Sequence, residues 1–190
     1  AVMHALAGDP EPLRAGIRLR LSATLPFGCG LGASAAAAVT VLDAVRRYIN
    51  DPLPRAELYR LGIECEHLQH GHSSGIDVFA SVYGGLTRHC RGQVPTELQA
   101  FTRPLHLINT GVPESTTGDC VIAVQDRFDT DHTIWDEFEA VTAAVVAALE
   151  SDGDGLRDAV RENHRLLQRI GVVPERVSRL IEDIETEGGA

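Results

Sequence analysis

Between residues 17 and 48 the chain changes period twice, and that change constrains the fold more than any other feature. Ile17-Arg18-Leu19-Arg20-Leu21-Ser22-Ala23-Thr24-Leu25 alternates apolar and polar residues, the pattern of a half-buried strand. Pro26-Phe27-Gly28-Cys29-Gly30-Leu31-Gly32-Ala33-Ser34 then ends it with a proline and three glycines. The alanines from Ala33 onward, followed by Val39, Val41, Leu42 and Val45, predict a helix over 33–48 that another element approaches closely, since alanine joins high helix propensity to small bulk. Strand, glycine loop and helix in that order suit a polyanion. Glycine lets the backbone come close, and a helix N-terminus presents unpaired amides with a partial positive charge. Ser34, in the first turn, adds a hydroxyl able to ligate a magnesium ion on a bound triphosphate. The same loop could equally be a tight turn that binds nothing, and by itself it does not decide between the two.

Other phosphate motifs lack parts. All 17 basic side chains are arginine, so a Walker loop, which ends in lysine followed by Ser or Thr, is excluded. A dinucleotide fingerprint would need a second strand ending in an acidic residue soon after the helix, but Pro52 and Pro54 lead into another helix. A serine-hydrolase elbow would need glycine where Ala36 stands.

Asp51-Pro52-Leu53-Pro54 breaks the first helix, and residues 55–70 resume a helical pattern with Leu58, Leu61, Cys65 and Leu68 on one stripe. At about 100° per residue, Glu66 and His70 leave one flank of that stripe and Glu64 the other. The polar turn Gly71-His72-Ser73-Ser74-Gly75 leads to residues 76–83, the Gly84-Gly85 break and a short strand over 86–90. Residues 101–109 predict a further strand, with a lobe boundary just before it. From about Cys120 the pattern is mostly helical: 141–149 is strongly apolar, 156–170 is amphipathic, and Ser151-Asp152-Gly153-Asp154-Gly155 separates them.

The stretch Glu64-Cys65-Glu66-His67-Leu68-Gln69-His70-Gly71-His72, with Asp77 beyond it, holds ingredients for two chemistries. Its histidines suit zinc and its carboxylates suit magnesium, though HExxH spacing is absent and His67 and His72 read as surface residues. Phosphoryl transfer to an alcohol needs a metal to neutralise the phosphates and a carboxylate to accept or orient the hydroxyl proton, and Ser34, Glu66 and Asp77 could supply those parts. Asp126, Asp129, Asp131 and His132 lack the glycine of a calcium loop and read as the solvated start of a helix.

At 190 residues and 44% hydrophobic content the chain can bury a core. Its net charge of -10 disfavours nucleic acid and anionic membrane surfaces and points to a small-molecule ligand. Cys29, Cys65, Cys90 and Cys120 are scattered as reduced thiols of a cytoplasmic protein would be, and no apolar run reaches membrane-spanning length. Met3 as the single methionine and the ending Glu187-Gly188-Gly189-Ala190 read as two cut ends.

These motifs together resemble the GHMP kinases, and within them the mevalonate kinases. Pro26 to Ser34 is similar to the family's Pro-x-Gly-x-Gly-Leu-Gly-Ser-Ser-Ala, with Ala33 in place of the first serine. Glu66-x-x-x-His70-Gly71-x-x-Ser74-Gly75-Ile76-Asp77 resembles Glu-x-x-x-His-Gly-x-Pro-Ser-Gly-x-Asp, with Ser73 where proline is usual. Asn109-Thr110-Gly111-Val112-Pro113-Glu114-Ser115-Thr116 resembles the family's Asn-Thr-x-Val-Pro-x-x-Thr, and 163–172 resembles a helix end of these kinases. The resemblance implies a two-lobed α/β and α+β fold: a ribosomal-protein-S5-like N-terminal lobe over 1–103 and a ferredoxin-like, helical C-terminal lobe over 104–190. It implies ATP phosphates on Gly28, Gly30, Leu31, Gly32, Ala33, Ser34 and Ala35, Mg2+ on Ser34 and Glu66, and Asp77 as the catalytic carboxylate. It implies substrate contacts from His70, Ser74, Gly75, Asp77 and Thr116. The expected reaction is transfer of the γ-phosphate of ATP to the 5-hydroxyl of mevalonate in a cytoplasmic protein, and a homodimer is compatible with it. Phosphomevalonate, a sugar or homoserine as acceptor, or a non-catalytic binding member, are the rival readings. The family's N-terminal lysine and final Gly-rich loop are not in these residues, so the 190 residues alone are expected to be inactive or severely impaired.

Overall fold

The alanine run folds as its propensity predicts, into the helix Ala33–Tyr48 around which the first half of the chain is organised. The computed structural model describes residues 1–6, 11–14, 16–24, 28–70, 73–90, 93, 95–99, 101–111, 113, 115–130 and 132–187. In chain order its elements are α1 (Val2–Ala5), a 3-10 turn (Glu11–Leu13), α2 (Ala33–Tyr48), α3 (Arg55–His70), α4 (Ile76–Tyr83), strands β1 (Thr87–Arg88) and β2 (Thr96–Glu97), then α5 (Thr117–Phe128), α6 (His132–Glu150), α7 (Leu156–Arg169) and α8 (Glu175–Thr186). The chain divides into two compact units, Ala1–Thr96 and Glu97–Ala190, each with its own core.

In the first unit, Ala35, Val39, Leu42 and Val45 recur at helical spacing along the buried face of α2. They meet Leu58, Leu61 and Cys65 of α3, Val78 of α4, and Ala5 and Leu6 at the chain start. Burial of each large aliphatic side chain here contributes about 1.5–3 kcal/mol before entropy is counted. Pro52 and Pro54 end the first helical pattern as expected, and α3 begins at Arg55. The second unit packs Val124, Ile134, Val141, Leu166 and Ile170 together, with Phe128 and Phe138 against them. Arg169 holds Glu137 with two hydrogen bonds of 2.7 and 2.8 Å, linking α7 to α6 at their exposed edges. No described helix is long and apolar enough to cross a membrane.

Three local expectations need correction. The predicted strand over 17–25 has no ladder partner among its described residues. Ile17 packs on the α2 core, while Leu19 and Leu21 stay exposed. The predicted strand over 101–109 likewise has no ladder partner among the described residues, with Leu105, Leu107 and Ile108 exposed. Alternation provides a face, but a strand exists only where a second chain segment completes its hydrogen bonds. The sheet among the described residues is the two-stranded pair β1-β2, so what is described of the expected α/β and α+β fold is mostly helical with one small sheet. Leu68, assigned to the buried stripe of α3, is 74% exposed because the core contacts of α3 end at Cys65.

Candidate active site

Gly28, Gly30 and Gly32 have φ values of 76°, 70° and 65°, all left-handed, and Cys29 and Leu31 between them do not. A glycine-rich turn of this kind lets a bound anion approach the backbone closely. A side chain at Gly28 or Gly30 would meet open space, so these glycines serve backbone conformation rather than packing. Gly32 is the N-cap of α2, and no side chain caps that helix. An uncapped N-terminus beside an amide-lined loop is what a bound phosphate would complete.

Three more side chains converge on this loop from the first unit. The Ser34 hydroxyl, in the first turn of α2, donates to Glu66 Oε1 of α3 at 2.9 Å. Glu66 is 7% exposed and is the one buried charged residue among those described. Asp77, in the first turn of α4, lies against the last glycine: a Cβ at Gly32 would be 3.3 Å from Asp77 Cβ and Cγ. The Asp77 side chain is exposed and has no recorded hydrogen bond or ion pair among the described residues. Glu64 points elsewhere. Arg60 binds it together with Glu57 on the outer face of α3, and that guanidinium lowers the Glu57 pKa below its ordinary value, mainly by hydrogen bonding.

These donors fit a magnesium ion. The recorded partner of the buried Glu66 carboxylate is a neutral hydroxyl, and a buried carboxylate without a cationic neighbour is costly. One carboxylate and one hydroxyl are hard oxygen donors of the kind Mg2+ takes alongside phosphates and water. Among the described residues no three His, Cys, Asp or Glu side chains converge as a metal cage, and His67 is exposed.

The remaining expected residues stand as follows. Gly75, buried with φ 82°, is the N-cap of α4, and the Ser73 hydroxyl accepts its N–H at 3.1 Å. Ser74 accepts the Ile76 N–H at 3.4 Å, so both serines shape the turn that delivers Asp77. Leu31 is exposed, Ala33 half-buried and Ala35 buried. The His70 side chain, Gly71 and His72 lie outside the described residues, as do Pro26, Phe27, Val112 and Glu114. Thr116 belongs to the second unit, where it caps α5: its hydroxyl donates to Asp119 Oδ2 at 2.7 Å and accepts the Asp119 N–H at 3.2 Å. Neither cleft of about 300 Å3 in the first unit includes Ser34, Glu66 or Asp77. Both border the C-terminal half of α2.

Sequence reasoning missed the residues that seat α4. Tyr59, Gly62 and Ile63 recur at i, i+3 and i+4 on α3 and touch or nearly touch α4 and its cap. Burial raises the Tyr59 phenol above its ordinary pKa, and Tyr83 adds to the shift. The available signal was Gly62, an isolated glycine inside a helical pattern.

Residues 1–85 match the family model of the GHMP kinases N terminal domain. Residues 1–85 are thus similar to that domain, and the relatives that follow extend the likeness over most of the chain. It is similar to mevalonate kinases over most of its length. It is 31% identical to the Pyrococcus horikoshii mevalonate kinase over 96% of this chain and 57% of that protein. Identity to the Pyrococcus abyssi mevalonate kinase is 27%, over 98% of this chain and 59% of that one. The Archaeoglobus fulgidus mevalonate kinase is 24% identical over 91% of this chain and 60% of its own length. The chain thus spans between 52% and 60% of the length of these and further mevalonate kinases it is similar to. No solved structure matches it.

Proposed function

We propose that this chain carries the phosphate loop, metal ligands and catalytic carboxylate of an ATP-dependent kinase that phosphorylates the 5-hydroxyl of mevalonate. The observation that carries the reading is the convergence of Ser34, Glu66 and Asp77, from three helices, on the glycine loop. In this reading residues 1–103 form the nucleotide-binding lobe and 104–190 the second lobe. Gly28, Gly30, Leu31 and Gly32, with the start of α2 at Ala33, Ser34 and Ala35, hold the ATP phosphates. Ser34 and Glu66 hold Mg2+, which, when bound, offsets charge on the phosphates. Asp77 accepts or orients the proton of the alcohol as its oxygen bonds to the γ-phosphorus and the bond to the β-phosphate oxygen breaks, releasing ADP. An exposed carboxylate with no recorded partner is suited to that task. His70, Ser74, Gly75 and Thr116 are assigned to the alcohol, although the Ser74 and Thr116 hydroxyls already serve a turn and a cap. Within the family the acceptor is the finer choice, and the relatives named mevalonate kinase support this one.

The test is ATP consumption and product mass with mevalonate, phosphomevalonate, homoserine and a sugar panel, using the full-length protein. Preference for mevalonate is expected. Preference for another alcohol overturns the acceptor, and nucleotide binding without any phosphorylated product overturns the catalytic reading.

A further inference from the structure

Glycine is a poor residue for a helix interior, and on propensity alone alanine would serve better at position 62. The reason for glycine is steric. A Cβ at Gly62 would stand 2.5 Å from Val78 Cγ1 and 3.3 Å from Val39 Cγ2, at the junction of α3, α4 and α2. Val78 is fully buried, and a β-branched side chain in a helix has one strongly preferred rotamer, so it has little freedom to rotate away. A larger residue at 62 therefore displaces α4. Val78 is bonded to Asp77, whose side chain lies against Gly32, so any displacement of α4 is a displacement of Asp77.

The same face of α3 fixes both sides of the site. One turn beyond Gly62, about 6 Å along the axis, Glu66 accepts the Ser34 hydroxyl. One turn before it, Tyr59 meets the α4 cap: a Cβ at Gly75 would be 2.8 Å from the Tyr59 hydroxyl oxygen and 3.2 Å from Ile63 Cδ1. Tyr59 is itself held edge-on to Phe79, with ring centroids 5.6 Å apart. Helix α4 is thus seated at two closely fitted points, Val78 on Gly62 and Gly75 on Tyr59.

We propose that Gly62 is a positioning residue for phosphoryl transfer: its missing side chain sets how closely α4 approaches α3, and hence where Asp77 stands relative to the phosphate loop and to Glu66. This rests on the kinase reading above. Because a misplacement of about 1 Å can cost on the order of a hundredfold in rate, Gly62→Ala should lower kcat by about that factor. Nucleotide KM should change less than kcat, since the loop and Glu66 are carried by α2 and α3 and the closest clash is with Val78 of α4.

The experiment is a cycle of Gly62→Ala, Val78→Ala and the double variant in the full-length protein, with kcat, KM and melting curves. Val78→Ala removes the atom that the new methyl would strike. Expected are a loss of kcat with cooperative melting retained in Gly62→Ala, near-normal kcat in Val78→Ala, and recovery of most of the lost kcat in the double variant. A well-folded Gly62→Ala with wild-type kcat, or a loss that Val78→Ala does not relieve, overturns the proposal. A crystal structure of Gly62→Ala decides the geometry without turnover: an unmoved Asp77 overturns the inference, and a displaced one supports it. Absence of kinase activity in the wild type would count against the function instead, leaving that structural outcome readable.

Discussion

Asp77 and Glu66 are both carboxylates near one glycine loop, yet their surroundings suit them to the different tasks proposed for them. Asp77 is exposed and without a recorded partner, whereas Glu66 is buried with a serine hydroxyl on it. Exchanging Asp77 for asparagine keeps the shape and removes the basic oxygen. Asp77→Asn should therefore lower kcat by about 10²–10⁴-fold while the melting temperature and nucleotide affinity stay near those of the wild type. Steady-state kinetics beside a nucleotide titration check this, and full activity would remove Asp77 from the mechanism. Glu66→Gln is a different experiment. Its amide oxygen can still accept from Ser34, so the fold should survive, but the proposed metal ligand loses its charge. The magnesium concentration for half-maximal activity should rise, and an unchanged requirement would take Glu66 out of the metal shell. Glu64 is no ready substitute, since Arg60 already holds it on the outer face of α3.

At the scale of elements, the start of α5 carries its own pH dependence. Thr116 and Asp119 form a reciprocal capping box, and the hydrogen bonds from the Thr116 hydroxyl and backbone lower the Asp119 pKa below its ordinary value. A carboxyl with a depressed folded pKa contributes stability above its unfolded pKa and loses that contribution as pH falls through the folded one. Helix α5 should hold its cap near neutrality and lose it on acidification below the ordinary aspartate range. Amide exchange of α5 followed with pH should show this in the wild type and not in Asp119→Ala, and identical profiles would refute it. The elements themselves were unevenly legible. α2 ends where the alanine run and Asp51-Pro52 predict, because propensity and breakers are local. The two alternating segments, 17–25 and 101–109, predicted strands that have no partner among the described residues, because pairing is not written in either segment alone. The candidate site was legible where it sits in short motifs: glycines with positive φ, Ser34 after them, and Glu66 and Asp77 flanking one turn. The Gly62 contact was not, because its complement, Val78, lies across two helices and a turn and only the packed structure brings them together.

For the whole molecule, the net charge of -10 opposes the polyanionic ligand proposed for the loop. With no lysine in the chain and no arginine at the loop among the described residues, the protein's own attraction there, apart from a magnesium ion held as proposed, comes from backbone amides and the start of α2, whose influence fades within about one helical turn. Beyond that range an approaching nucleotide meets the field of the acidic chain. Salt screens the long-range repulsion, with a Debye length near 10 Å at about 0.1 M, more than it screens close amide contacts. Raising ionic strength from about 20 to about 200 mM should therefore speed nucleotide association with the chain, by a factor on the order of two, and leave dissociation nearly unchanged. A site whose attraction came from lysines would respond in the opposite sense. Stopped-flow binding of a fluorescent ATP analogue at fixed free magnesium separates the two. Association that slows with salt would mean that a cationic cluster reaches the nucleotide first, and the amide-based account of this loop would have to be abandoned.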